Sequence, residues 1–493
     1  MCAVLKVGYA VYPSVKLRSY IPDTKKGGMK LGFVKELLFG DFIQPYVTDG
    51  AYETITIPKG TNKGEYIKVR CRGADGYIKE SEMQTKRILE VNFIDVGQGD
   101  GCHVVTPDDK HFIIDAGYSD NMYRYLKWRF NLRKAKSSPP PFTVVISHSD
   151  QDHYQGFGCI FSKTKGTENQ FTINKIYHNG IVEGVGGNLG PQVEYDSAPY
   201  VTDLCKDNAD YKARLDKVNH GPYIDMLEKS SAEKEGLWKG ADDIYNKGDM
   251  RMEILGPVPV EVQGKAALPW FGDSGKTKNG NSVIIKLTIG HLRLMLGGDL
   301  NKLSEDYLLK YYSGKDVAAL RAQIEDETLD EDVRKNAEKE MNDAIDTARQ
   351  VLEVDIAKSC HHGSADFTSE FLRALNPLAT IISSGDDESY AHPRPDTLGT
   401  IGKFSRGDRS LIFSTELARS GKEFLELKKI SAQKKNERVV TVYGMINVRT
   451  DGERVVIAQK LERPSGKGNW DIHKLVWNKD KEVFEYIKDP EKD

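Results

Sequence analysis

The chain has 493 residues, which is too long for one ordinary domain, because domains usually contain about 100–200 residues. Hydrophobic residues make up 39% of the sequence and charged residues 29%, which is typical of a globular protein that can bury a large core. The net charge of −3 excludes a uniformly basic coat for nucleic acid, although it leaves room for a local basic patch.

The sequence also bears on the compartment. No run reaches the roughly 18 apolar residues needed to cross a membrane, and no basic region followed by an apolar stretch marks a secretory signal. The six cysteines are scattered without CxxC pairs, which argues against a disulfide framework and against a cysteine-based zinc site. We therefore expect a cytoplasmic protein that has no membrane-bound part.

Residues 1–86 are expected to form a small all-β domain. Short stretches rich in Val, Ile, Tyr and Thr alternate with turns that contain Gly, Pro and Asn. The segment ending in GYIKESEM is similar to the last strands of a bacterial SH3-like barrel. That similarity implies a module that binds a partner; the alternative is a structural cap on the next domain.

Residues 87–410 change to apolar strands, Gly-rich turns and helical segments, an order that predicts a layered α/β domain. Two insertions interrupt this pattern, near residues 185–250 and 302–350. The second insertion has thirteen Asp/Glu against eight Lys/Arg. Such a charge run predicts a solvated helical hairpin.

Residues 411–493 are expected to form a β-rich C-terminal extension. The segment VVTVYGMINVRTDGERVVIAQKLE places two alternating strands on either side of Thr-Asp-Gly, which predicts a hairpin. From residue 401 onward, twenty Lys/Arg exceed fifteen Asp/Glu, so this region is basic overall.

Four potential metal ligands stand within six residues after the apolar strand PFTVVIS. They are His148, Asp150, Asp152 and His153. Imidazole and carboxylate groups suit zinc, manganese or iron(II). Burying these groups together without a cation is costly, so the spacing predicts a metal site.

Two further strand ends carry ligand-type side chains. Asp299 ends the apolar run HLRLMLGGD, where its carboxylate can bridge two metals or, alternatively, cap the helix that begins near Lys302. His361 and His362 follow another strand. Adjacent histidines point in different directions, so we favour His362 as a ligand and His361 as an outer or substrate contact.

The motifs GQGDG, IIDAG, SHSDQDHYQG, NSVIIKL, LGGDL, SCHHGS and SSGDDESYAHPRP occur in this order. As a set they resemble the metallo-β-lactamase fold and, more narrowly, the soluble hydrolase domain of the ComEC competence-protein family. The resemblance covers roughly residues 88–410. With the flanking segments, it implies an α/β (α+β) chain: a four-layer αββα metallo-β-lactamase sandwich, a small all-β N-terminal barrel and a β-hairpin C-terminal extension.

The resemblance also implies a centre of two divalent ions, Zn²⁺ or Mn²⁺, at the sheet edge. The implied ligands are His148 and Asp150 for one ion, Asp152 and His153 for the other, Asp299 as the bridge and His362 as the last histidine. Asp115, in IIDAG, matches a buried carboxylate that supports the histidine loop. The family's remaining histidine matches His178 best, with His220 as the alternative.

Two such ions would supply a hydroxide that attacks a phosphodiester, and the resemblance favours DNA or RNA as the substrate. In that reaction, we expect Asp152 to orient the hydroxide and His361 or His392 to protonate or stabilise the leaving oxygen. Arg394 and Ser364 are the candidate phosphate contacts; alternatively, His392 and Arg394 belong to a rigid Pro-rich turn and Ser364 to a simple turn. Arg394 stands where the family often has a second histidine.

We therefore expect a metal-dependent hydrolase, with phosphodiesterase or nuclease activity as the leading interpretation. One alternative is hydrolysis of a small phosphodiester or another ester, with the acidic insertion narrowing the pocket. Another is a partner-dependent effector subunit, recruited by a protein through the N-terminal module or the acidic insertion.

Overall fold

The computed structural model of the chain describes residues 5–22, 29–59, 62–132, 138–162, 171–385, 390–415, 444–465 and 468–488. The residues group into two compact units. The first unit contains Met1–Asn92, Val104–Lys110 and Ile446–Asp493, and the second contains Phe93–His103 and His111–Met445. The domain borders predicted near residues 86 and 410 stay predictions.

The N-terminal part of the first unit consists of short strands separated by turns. These strands are β1 (Gly8–Ala10), β2 (Ser14–Pro22), β3 (Met29–Leu38), β4 (Phe42–Pro45), β5 (Val47–Thr48), β6 (Ala51–Tyr52), β7 (Thr54–Ile57), β8 (Gly64–Cys71), β9 (Ala74–Ile78), β10 (Met83–Gln84) and β11 (Leu89–Phe93). Most pair in one sheet, in the order β10-β1-β4-β8-β9-β2-β3, with β7 beside β8. Leu17, Ile43 and Val69 pack in its core. The similarity to an SH3-like barrel stays a prediction.

The second unit is built on two large sheets and a small one. Its strands are β12 (Gly101–Val105), β13 (His111–Ala116), β14 (Phe142–Val145), β15 (Ile173–His178), β16 (Gln192–Tyr195), β17 (Ala198–Val201), β18 (Glu233–Gly236), β19 (Tyr245–Lys247), β20 (Met250–Gly256), β21 (Val260–Val262), β22 (Lys265–Pro269), β23 (Ile284–Ile289), β24 (Leu292–Leu296), β25 (Ile356–Lys358), β26 (Ala379–Ile382) and β27 (Leu411–Ser414). One large sheet runs β18-β15-β14-β13-β12, and the other runs β19-β20-β23-β24-β25-β26-β27. Strands β13, β14, β15 and β18 are parallel, as are β24 to β27. Burial on both faces of such a sheet explains the largely apolar sequences of β14, β24, β26 and β27.

Among the described residues, the α-helices belong to the second unit. They are α1 (Asn121–Arg129), α2 (Gln151–Tyr154), α3 (Phe157–Phe161), α4 (Asn208–Leu215), α5 (Pro222–Leu227), α6 (Ser274–Gly280), α7 (Lys302–Ser313), α8 (Val317–Glu325), α9 (Glu331–Leu352), α10 (Ser369–Leu375) and α11 (Pro395–Phe404). Within the described ranges, none of them combines the length and the apolar character that crossing a bilayer requires.

The two large sheets of the second unit face each other. Ile114 of β13 and Leu296 of β24 line the same buried space between them. On the outer face of one sheet, α1 places the Tyr125 hydroxyl 3.0 Å from Nδ1 of His103 in β12. Helices α7, α9 and α10 cover the other sheet, where Ile345 packs in one cluster with sheet residues. This helix–sheet–sheet–helix order confirms the αββα sandwich expected from the sequence.

The acidic insertion is helical, as predicted, but it forms three helices, α7, α8 and α9, that pack against the core instead of a solvated hairpin. In α9 the apolar residues Met341, Ile345 and Leu352 fall at helical spacing, so one face packs into the core while the opposite face carries the charges. Gly314, with φ of +72°, ends α7 in the left-handed conformation and turns the chain toward α8.

The first unit ends in four strands, β28 (Ile446–Thr450), β29 (Arg454–Ser465), β30 (Gly468–Asn478) and β31 (Val483–Tyr486), in the order β11-β28-β29-β30-β31. Strands β28 and β29 pair antiparallel around Asp451 and Gly452. The hairpin predicted at Thr-Asp-Gly is thus confirmed, although residues 439–443 of its predicted first strand lie outside the described residues.

Candidate metal centre

Ligand-type side chains gather where strands of both large sheets end. His148 and His153 follow β14, Asp299 follows β24, and His362 follows β25. The carboxyl ends of parallel strands meet at one edge of a sheet, which is a common place for a functional site. Both histidines after β14 are fully buried, and Asp299 and His362 are each 3% exposed.

Asp299 lies between two histidines. Its Oδ2 atom is 3.2 Å from Nε2 of His153 and 3.1 Å from Nε2 of His362. The Oδ2 atom of Asp152 is 3.6 Å from the same nitrogen of His362. Candidate ligand atoms of Asp152, His153 and His362 lie within 4.8 Å of one another, as do those of His148, His153 and Asp299. The structure therefore brings together five of the predicted ligands.

The other ring nitrogen of each histidine is held in place. Nδ1 of His153 is 2.8 Å from a carboxylate oxygen of Asp115, and Nδ1 of His362 is 3.0 Å from a backbone carbonyl oxygen. Nδ1 of His148 is 3.2 Å from the Ser282 hydroxyl. Metal-binding histidines typically donate their second N–H in this way, which fixes the ring and directs Nε2 at the ion.

Several buried atoms in this cluster have unmet bonding capacity. Among the residues that the structure describes, Nε2 of His153, Nε2 of His362 and Oδ1 of Asp299 make no well-aligned hydrogen bond, although both nitrogens lie close to the Asp299 carboxylate. Buried polar atoms without an aligned partner are rare in proteins. A divalent cation fits them, since mixed imidazole and carboxylate ligands suit zinc, manganese or iron(II).

The charges in the cluster depend strongly on one another. Burial alone lowers the pKa of His153 and His362, but the neighbouring carboxylates, Asp299 first, raise both pKa values well above 6.5. Burial raises the pKa of Asp299, yet these two histidines lower it well below 3.8. Without an ion, the cluster therefore holds protons on its histidines to balance its carboxylates.

Asp100 and Lys358 belong to the same cluster, and neither was predicted from the sequence. Asp100 lies in GQGDG, and its Oδ1 atom is 3.2 Å from Nδ1 of His362. The Lys358 ammonium forms an ion pair with Asp100 and is 3.6 Å from Asp299. The GQGDG motif was a signal for Asp100, but it was used only as a family motif and no role was predicted for its carboxylate.

Asp115 supports the histidine loop, where the resemblance places it. One of its carboxylate oxygens accepts the backbone N–H of Ser147 at 2.7 Å, and the other accepts the Ser147 hydroxyl at 2.6 Å. The same carboxylate contacts His153. Asp115 thus fixes the chain between β14 and the first ligand.

Asp150 contacts a lysine. Its Oδ1 atom is 2.5 Å from the ammonium of Lys278, which also lies 3.3 Å from Glu183. Burial raises the pKa of Asp150, but the hydrogen bond to His148 and the Lys278 charge lower it to about 2. The carboxylate is therefore ionised at neutral pH and already has a cationic partner.

The structure does not bring His178, predicted as the remaining histidine ligand, into these groups. His178 ends β15 and accepts the N–H of Gly180 on Nδ1 at 3.1 Å, and it belongs to none of the ligand groups found among the described residues. Burial lowers the pKa of His178 to about 4, so the ring is neutral. His220, the alternative, is exposed.

The predicted substrate contacts differ in their surroundings. His361 and His392 are near each other, with ring centroids 5.8 Å apart, and the exposed Tyr390 stacks on His392 at 5.8 Å. Arg394 is exposed at the start of α11. The Ser364 hydroxyl accepts a backbone N–H two residues ahead at 3.1 Å, as it does in a simple turn.

Glycine is required at position 99, where the GQGDG loop packs against the backbone of Asp152. Its φ is +103°, and a Cβ there would lie 1.7 Å from the carbonyl oxygen of Asp152. We expect Gly99→Ala to displace Asp152 and to weaken Mn²⁺ binding about 10-fold or more, as measured by calorimetry. Gly240→Ala is the matched control, since Gly240 has φ of +99° and no atom within 4 Å of its Cβ position. Equal Mn²⁺ affinity in the two variants would contradict this expectation.

No family model matches the chain. Over 330 residues, or 64% of the chain, the sequence is 22% identical to ComE operon protein 3 of Bacillus subtilis, and the chain spans 31% of that protein's length. The structure is similar to that of Tm1679, a metal-dependent hydrolase of the β-lactamase superfamily, with a TM-score of 0.30, 12% identity and coverage of 66% of this chain and 95% of that one. It is also similar to a provisionally assigned metal-dependent hydrolase from Parabacteroides distasonis, with a TM-score of 0.27, 11% identity and coverage of 73% and 98%. The sequence match confirms the resemblance to the ComEC competence family that the motifs indicate.

Proposed function

We propose that this chain is a metal-dependent hydrolase of phosphodiesters, with DNA or RNA as its substrate and Mn²⁺ or Zn²⁺ as its cofactor. One observation carries the proposal. Two buried histidines, His153 and His362, have Nδ1 held by a partner and Nε2 within 3.2 Å of the same carboxylate oxygen of Asp299. The resemblance to the competence family favours the phosphodiester bond over other esters.

When bound, a divalent ion supplies charge stabilisation and a water of lowered pKa. The protein supplies the fixed geometry. Asp115 holds His153 by its far nitrogen, and Lys358 keeps its positive charge because Asp100 and Asp299 raise its pKa against the effect of burial. These contacts prearrange the ligands, so little reorganisation is needed during the reaction.

The substrate side of the site is formed by His361, His392 and Arg394. Burial lowers the pKa of His361, so its imidazole is neutral at pH 7 and serves as a hydrogen-bond donor to a phosphate oxygen. Arg394 is exposed and free to reach a phosphate with two parallel hydrogen bonds. We assign these residues to substrate binding and to stabilisation of the leaving oxygen.

The test is a cleavage panel with Mn²⁺-loaded protein on single-stranded DNA, duplex DNA, RNA and a small bis-aryl phosphodiester. We expect cleavage of a nucleic acid by the wild type and none by Asp152→Asn, which keeps the shape of the side chain. Cleavage of the small diester alone would indicate a small-molecule phosphodiesterase. Equal turnover by Asp152→Asn and wild type would refute the proposal.

Tyr390 offers a stacking surface for a nucleotide base beside the centre. Its side chain is 65% exposed and nearly parallel to His392, at 17°. Stacking of a base on an aromatic ring contributes about 1–3 kcal/mol, so we expect Tyr390→Ala to raise KM for single-stranded substrate roughly 5-fold or more. Metal content should stay unchanged.

Two variants control this measurement. Tyr390→Phe keeps the ring and should keep KM, and Tyr311→Ala removes a comparably exposed tyrosine on α7. A KM increase in Tyr311→Ala equal to that in Tyr390→Ala would mean that stacking at residue 390 is not the cause.

A further inference from the structure

The cluster has two halves with different surroundings. We call Asp152, His153, Asp299 and His362 the Asp299 half, and His148 with Asp150 the Asp150 half. In the Asp299 half, Nε2 of His153 and Nε2 of His362 lie near the Asp299 carboxylate but make no well-aligned hydrogen bond among the described residues. In the Asp150 half, both ligand atoms lie against donors of helix α6. This difference bears on how many ions the chain holds.

Lys278 supplies one of these donors. Its ammonium lies 2.5 Å from Oδ1 of Asp150 and 3.3 Å from Glu183, and its side chain is only 14% exposed. Helix α6 carries the lysine, and Glu183 is the second carboxylate that contacts its ammonium. A fixed positive charge therefore already sits on the carboxylate that the family resemblance assigns to an ion.

Asn279, the next residue of α6, supplies the other donor. In the orientation that satisfies its hydrogen bonds, its amide nitrogen lies 2.7 Å from Oδ2 of Asp150 and 3.3 Å from Nε2 of His148. The amide nitrogen thus lies within donating distance of both ligand atoms that a second ion needs, and the Gly275 carbonyl oxygen at 3.2 Å is a third acceptor for its two N–H groups. The space between His148 and Asp150 is spanned by this amide.

We infer that Lys278 and Asn279 take the place of the second ion, so that the chain binds one divalent ion, held by the Asp299 half. The inference rests on the proposed metal-dependent function and adds the number of ions that each chain binds. A single ion also means that Mn²⁺ activates without cooperativity.

The test is Mn²⁺ stoichiometry by elemental analysis and titration calorimetry, together with electron paramagnetic resonance, which distinguishes an isolated Mn²⁺ from an exchange-coupled pair. We expect one isolated ion per chain in the wild type. The double variant Lys278→Ala/Asn279→Ala should bind two ions with a coupled spectrum. Asp150→Asn should keep one ion, because Asp150 is not in the half that binds it.

Each outcome has a distinct meaning. Two coupled ions in the wild type, or loss of the ion in Asp150→Asn, would overturn the inference and leave the hydrolase proposal standing. A double variant that folds but still binds one ion would also overturn it. If the double variant does not fold, Lys278→Gln, which keeps most of the volume, replaces it. No bound ion in the wild type would instead defeat the proposed metal-dependent function.

Discussion

Replacing Asp299 by alanine is expected to abolish the metal centre. The carboxylate lies within 3.2 Å of Nε2 of both His153 and His362, so its removal takes away one ligand and leaves two histidines without their shared partner. Loss of even an outer hydrogen-bond partner of a ligand weakens metal binding about 10–100-fold, so we expect Mn²⁺ affinity to fall at least about 100-fold. Calorimetry measures the affinity, and cleavage assays should show a comparable loss of kcat/KM.

The matched control is Asp343→Ala, which removes an exposed carboxylate on α9. Its affinity for Mn²⁺ should equal that of the wild type. Circular dichroism shows whether Asp299→Ala is folded, which separates loss of a ligand from loss of the fold. A folded Asp299→Ala that keeps wild-type affinity would show that the ion binds elsewhere.

Metal binding is expected to release about two protons per ion at neutral pH. In the metal-free protein, Asp299 above all raises the pKa of His153 and of His362 well above 6.5, so both rings are protonated there. An ion needs them neutral, and its apparent affinity should therefore rise up to about 100-fold per pH unit through the neutral range. Calorimetry in buffers of different ionisation enthalpy counts the released protons.

The same shifts set the direction of the stability change. Since the folded pKa values of these histidines are raised, their contribution is complete below pH 6.5 and is lost as the pH rises through the raised values. We expect the Tm of metal-free protein to fall as the pH rises, while the Tm gain caused by Mn²⁺ grows. His220→Gln, which changes an exposed histidine, should leave proton release unaltered. Release of no protons would show that the histidines are not ligands.

The sequence predicted those parts of the centre that depend on strand ends. His148, Asp299 and His362 each follow an apolar strand, and parallel strands bring their carboxyl ends together whatever the details of packing. The order of apolar strands and helical segments, a local property of the chain, predicted a layered α/β domain, and the family resemblance implied the αββα arrangement of its layers. The family motifs then indicated the role of each ligand, which the spacing of the residues alone did not decide.

The remaining contacts depend on pairings far apart in the chain. Lys278 meets Asp150 across 128 positions, and no local pattern marks a lysine in α6 as a partner. His178 also follows the pattern of a ligand at the end of an apolar strand. Its strand β15 lies farther from the middle of the sheet than β14, and the sequence pattern does not reveal the position of a strand in its sheet. The acidic insertion was predicted from its charge, whereas the apolar face of α9 decided its packing.

The spread of the ligands along the chain has a consequence for folding. Asp100 precedes β12 and His362 follows β25, so most strands of both large sheets and helices α7 to α9 lie between them in the sequence. The centre therefore cannot form until nearly the whole second unit has folded. Contacts of such long sequence separation form slowly, because loop closure must precede them. Ion capture is therefore a late event: adding Mn²⁺ should slow unfolding while leaving the refolding rate almost unchanged.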